Sequence, residues 1–87
     1  METLLRSHML ALVGRYTAET GRAESTTGRL TVGDGRFFRR VRDGHTSFTV
    51  ATYDRVVTWF SENWPEDAPW PDDVPRPVLL QPEGAVQ

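Results

Sequence analysis

The chain has 87 residues and no cysteine, which limits it to one small domain and excludes a disulfide framework and thiolate zinc sites. No apolar run is long enough to span a bilayer and the first residues lack the basic-then-apolar order of a signal peptide, so a soluble, cytoplasmic protein is expected. The formal net charge of −2 hides a division: residues 22–55 hold seven arginines against Glu24, Asp34, Asp43 and Asp54, while residues 56–87 hold Arg76 against six carboxylates.

Residues Glu2 to Thr20 read as the first helix. Leu5, Met9, Leu12 and Tyr16 recur at helical spacing, Val13 widens the stripe, and Gly21 provides the stop. Leu4 and Leu10 lie off the stripe, and His8, at its edge, has no second ligand at metal spacing. A second helix starts at Glu24 or Ser25 and runs through Thr31. Within it Gly28 costs about 1 kcal/mol relative to alanine, which points to a packing purpose. A tight turn at Gly33 follows.

Asp34 as N-cap and Gly44 as a left-handed terminator bound a third helix at Asp34–Asp43. At about 100° per residue, Phe37, Phe38 and Val41 share one face. Arg36, Arg39 and Arg40 project from the other, with Arg42 on the flank. Gly35, near the helix start, leaves room for close approach to a backbone or base. Phe48 reads as a core anchor, and Thr49 caps a fourth helix from Val50 to about Asn63. There Val50, Tyr53, Val56, Val57, Phe60 and Trp64 form one stripe. Trp59 points well away from that stripe, so its cover is expected from the tail or a second subunit. From Trp64 to Pro77 the chain holds five prolines and two tryptophans. This composition predicts an extended, polyproline-like path that folds back along the last helix or across to a partner's helix. Trp64 and Trp70 are too aromatic for a disordered linker. Residues after Leu80 are expected to fray.

Gly28 in the second helix, Gly33 in the turn, buried Phe38 and Val41, and the ending Arg-Val-Arg-Asp-Gly together resemble the lambda-repressor/Cro class of helix-turn-helix proteins. Small phage and alphaproteobacterial regulators of that class are the nearest in kind. The resemblance covers roughly residues 3 to 64. Thr27 and Thr31 stand where that class usually has apolar residues, and Gly33 sits one residue late. The resemblance implies an all-α, four-helix helix-turn-helix domain at 1–64 and an extended, acidic Pro/Trp-rich tail at 65–87.

It also implies a function: binding of double-stranded operator DNA as a homodimer, with repression of transcription as the outcome. Arg36, Arg39 and Arg40 would read base edges, because a guanidinium fork can bond O6 and N7 of guanine together. Ser25, Thr26, Thr27, Arg29, Arg42, His45, Thr46 and Ser47 would contact phosphates. Trp59, Trp64 and Trp70 would pack the tail or a dimer partner. The plainer reading of the arginines is the solvated face of an amphipathic helix. An alternative function is a phage-type protein-binding module, such as an anti-defence inhibitor or accessory factor, with the acidic tail or the tryptophans as its surface. Two histidines without a nucleophile, and no phosphate-binding glycine loop after a strand, leave no role for catalysis or a cofactor.

Overall fold

Side chains buried at three- and four-residue spacing, apolar in α1 (Glu2–Thr20), α3 (Phe37–Asp43) and α4 (Val50–Asn63) but threonine in α2 (Glu24–Val32), build the four helices. The computed structural model describes residues 2–44 and 47–76, and among these there are four helices and no strand. No described helix is long and apolar enough to cross a membrane. Helix α1 packs on each of the other three, and α2 packs on both α3 and α4.

The expected stripe of α1 supplies the centre. Met9, Leu12, Val13 and Tyr16 are buried, and Gly21 ends the helix at φ 75° with its N–H on the Thr17 carbonyl at 2.9 Å. Leu4 is exposed and Leu10 half-buried. His8 is a core residue, its Nδ1 2.8 Å from the Tyr53 hydroxyl of α4. That site holds the Tyr53 hydroxyl proton more firmly than usual, because burial, and then the nearby Asp54 carboxylate, disfavour the phenolate.

Helix α4 has the expected bounds, and the Thr49 hydroxyl accepts from the Thr52 N–H at 3.1 Å. Val56, Val57 and Phe60 are buried, but Val50 is 63 % exposed and does not belong to the stripe. It is the first residue of the helix, ahead of the turn that meets the core. Trp59 also departs from expectation. Its half-buried indole packs edge-on against Tyr16 of α1 and against Phe60, both at 5.4 Å between ring centroids. The ring is large enough to reach α1 from the flank of α4, which gives it part of its cover.

The segment after α4 is not one extended run. Trp64-Pro-Glu-Asp-Ala-Pro69 and Trp70-Pro-Asp-Asp-Val-Pro75 repeat the same six-residue pattern. Both copies close in the same way. The Ala68 N–H donates to the Pro65 carbonyl and the Val74 N–H to the Pro71 carbonyl, each at 3.2 Å. The Trp64 indole N–H donates to the Ala68 carbonyl at 3.0 Å, and that of Trp70 to the Val74 carbonyl at 2.7 Å. Ala68 and Val74 are thereby buried with the helical core, and the two indoles meet at 4.9 Å between centroids.

Arg76 then ties the second copy to α4. Its Nε donates to the Ser61 hydroxyl at 3.2 Å and an Nη to the Ser61 carbonyl at 3.0 Å, while its guanidinium lies 4.8 Å from the Trp70 ring centroid. A carbonyl in the last turn of α4, which has no intrahelical partner, gains one. Residues 64–76 thus lie against α4 through two turns. The expectation of fraying after Leu80 lies outside the described residues.

Two glycines of opposite environment test this packing. Gly14, exposed on α1, has nothing within 4 Å of an added Cβ, whereas a Cβ on Gly28 would lie 2.5 Å from the Asp34 carbonyl oxygen. In urea unfolding, Gly14→Ala should therefore raise stability by about 0.5–1 kcal/mol, the usual helix preference. Gly28→Ala should lower it by about 1–3 kcal/mol, because backbone must move. Trp70→Phe keeps a ring but removes the donor to Val74, and should cost about 1 kcal/mol in the same assay.

Candidate nucleic-acid interface

Helix α2, the turn at residues 33–36 and α3 form one unit whose geometry follows from three local choices. Thr27 and Thr31 face the core of the protein, and each hydroxyl bonds back to its own helix. Thr27 donates to the Ala23 carbonyl at 3.0 Å, and Thr31 to the Thr27 and Gly28 carbonyls at 3.0 and 3.2 Å. Both are thus satisfied at positions that apolar residues could fill. The left-handed Gly33, at φ 75°, then reverses the chain. Its N–H bonds the Arg29 carbonyl at 3.0 Å and the Asp34 N–H bonds the Gly28 carbonyl at 3.3 Å.

The third choice is made by Asp34, and it corrects the expected start of α3. The helix begins at Phe37, three residues later than expected, with Arg36 rather than Asp34 at the N-cap. Asp34 Oδ1 accepts from the Arg36 N–H at 2.9 Å and the Asp34 carbonyl accepts from the Phe37 N–H at 3.1 Å. The aspartate has closed an Asx-type turn upon itself instead of capping a helix, two uses that draw on the same short carboxylate. Gly35 does not leave space for an external group either. An added Cβ would lie 3.3 Å from an Arg29 guanidinium nitrogen and 3.4 Å from the Ser25 carbonyl, so α2 fills that side.

Helix α3 buries Phe37, Phe38 and Val41, as its periodicity requires, and ends at left-handed Gly44. Its C-terminus is held from α1, where Arg6 donates to the Val41 carbonyl at 2.9 Å and lies over the Phe48 ring at 5.7 Å. Sequence reasoning missed Arg6, which lies on the expected scaffold helix 35 residues from its partner. Phe48 is half-buried against the core, as an anchor should be.

The arginines on the outer side fall into two groups. Arg36 and Arg39 are exposed and make no ion pair among the described residues. Arg40 is half-buried and pairs with Asp34 Oδ2. Arg42 pairs with both carboxylate oxygens of Glu24 in the first turn of α2, one of them at 3.2 Å. The remaining sequence-predicted contacts are dispersed. Arg29 is exposed and donates weakly to the Thr26 hydroxyl at 3.4 Å, and Ser25 and Ser47 are exposed. Thr27 is fully buried with its hydroxyl engaged, so its expected phosphate contact is corrected: it is a core residue. His45 and Thr46 lie outside the described residues. Trp64 and Trp70 pack the tail and Trp59 packs on α1.

The charge pairs leave their mark on titration. The Asp34 carboxyl is held below its ordinary range, first by the Arg36 backbone N–H and then by Arg40. The Arg42 guanidinium holds its proton more firmly than usual because it bonds Glu24. Among the described residues no three His, Cys, Asp or Glu side chains gather where they could hold a metal ion. Comparison with known proteins finds no matching family model, no matching curated protein and no matching solved structure.

A carboxyl whose folded value is depressed contributes stability above its ordinary value of 3.8 and loses it as pH falls through the folded value. Melting temperature recorded from pH 6 down to about 2 should therefore fall more steeply in this protein than in Asp34→Asn. The asparagine keeps an acceptor for the Arg36 N–H but has no charge to lose. Parallel acid limbs would show that Asp34 makes no contribution through its charge.

Proposed function

We propose that this chain is a helix-turn-helix DNA-binding protein that enters the major groove with α3 and represses transcription as a homodimer in the cytoplasm. The observation that carries the reading is the two-sided build of α3 and its turn. Phe37, Phe38 and Val41 fix one side in the core, while Arg36 and Arg39 stand exposed on the other without an ion pair among the described residues. A rigid helix with free guanidinium forks on its outer side is what direct readout of guanine requires. By the resemblance, Thr27, Gly28, Thr31, Phe38 and Val41 correspond to positions that hold the second helix of a helix-turn-helix against its first, and their burial supports the reading.

On this reading Arg36 and Arg39 read base edges. Arg40, expected from the sequence to read bases, is tied to Asp34 and is reassigned here to phosphates, with Arg42, which is tied to Glu24, and with Ser25, Thr26, Arg29 and Ser47. Phosphate contacts give affinity and salt dependence without sequence information. Two-fold symmetry would place the half-sites about one helical turn apart on the duplex. The role is binding, with no cofactor and no catalytic step. The exposed carboxylates Glu66, Asp67, Asp72 and Asp73 belong to the segment after α4 and would face away from the DNA.

A gel shift on the DNA upstream of the gene, at two salt concentrations, tests this. A specific shift should appear and should weaken by tenfold or more in Arg36→Ala/Arg39→Ala, since each bidentate guanine contact is worth roughly 1–3 kcal/mol. A shift no stronger than on random DNA and unchanged in the variant would sink the repressor reading. It would turn attention to a protein partner for the acidic segment.

A further inference from the structure

Two arginines of the outer face already have anionic partners, and both partners come from α2 and its turn. Arg42 presents its fork to both oxygens of Glu24, the geometry with which it would otherwise grip a phosphate. Asp34 is held twice: Oδ1 takes the Arg36 backbone N–H and Oδ2 takes Arg40. If Arg40 turns to a phosphate, Asp34 therefore stays in place and faces the duplex with its charge uncompensated. Both pairs are partly exposed, so a phosphate competes with the carboxylates for the same guanidinium groups in water.

We infer that Glu24 and Asp34 are positioning residues that compete with DNA phosphate for Arg42 and Arg40 and thereby weaken the sequence-independent part of DNA binding. The inference rests on the DNA-binding reading above and adds a control on its phosphate contacts. Loss of the two ion pairs costs the same on any duplex. On a matching site, contacts from Arg36 and Arg39 to base edges help to offset it; on a random duplex the phosphate contacts alone must do so.

The test is fluorescence anisotropy with a labelled random-sequence duplex, titrated between about 50 and 200 mM salt, for Glu24→Gln and Asp34→Asn. Each variant frees one arginine for a phosphate, so the slope of log affinity against log salt should steepen by about 0.9 in each. Affinity at the low-salt end should rise, and its loss across this range should grow by about threefold per variant. Glu66→Gln removes the same charge from the segment after α4 and should leave the slope unchanged. An equal effect in Glu66→Gln would reduce the result to net charge and overturn the inference. Unchanged slopes in Glu24→Gln and Asp34→Asn, with binding still weakened by Arg36→Ala/Arg39→Ala, would also overturn it while leaving the DNA-binding reading intact. Absence of salt-dependent binding to any duplex would remove that reading and the inference together. Gln keeps the shape of the half-buried Glu24 and Asn keeps the Asx acceptor of Asp34, and circular dichroism checks that the helices persist in each variant.

Discussion

The arrangement of α2 and α3 depends on one close approach, that of the Asp34 carbonyl oxygen to the Cα of Gly28. The oxygen lies 2.5 Å from where any other residue would carry its Cβ, too close for a Cβ to be tolerated. With that space open, the chain can reverse at Gly33 and return close against α2, bringing Gly35 beside the Ser25 carbonyl and the Arg29 side chain. Phe38 then reaches the core, where its ring lies 6.0 Å from Phe60 of α4. The outward direction of Arg36 and Arg39 is a consequence of this seating. A side chain at position 28 would have to push the turn away, and α3 with it.

The helices themselves were legible because their signals are local. The α1 stripe, the Thr49 cap and the glycines at 21, 33 and 44 each act within a turn or two of the residues that reveal them. The start of α3 was not, because aspartate before a glycine serves equally as a helix cap or as the closer of its own turn. Only the position of α2 decides between the two. Thr27 and Thr31 look polar in the sequence, yet their hydroxyls are spent on carbonyls of the same helix and the residues behave as core.

The candidate interface was legible in outline only. That α3 has a cationic side follows from periodicity, but which of its arginines are already occupied does not. Arg42 meets a carboxylate 18 residues away and Arg40 one six residues away, neither at a helical interval. The repeat after α4 is a different case. Its two copies stand in plain view in the sequence, and the density of proline drew the reading toward extended backbone instead. Proline does exclude helix there, but it is compatible with turns, and each tryptophan supplies the indole N–H that fastens one.

The placement of the indoles has a spectroscopic consequence. All three tryptophans lie on α4 or just after it, gathered around Tyr16, Phe60 and one another, while α2 and α3 carry none. Intrinsic emission from this protein is therefore a reporter of the α1–α4 end of the core and of the attachment of residues 64–76. The arginine-bearing surface is optically silent: an event there would leave the emission spectrum unchanged unless it loosened the aromatic cluster behind it.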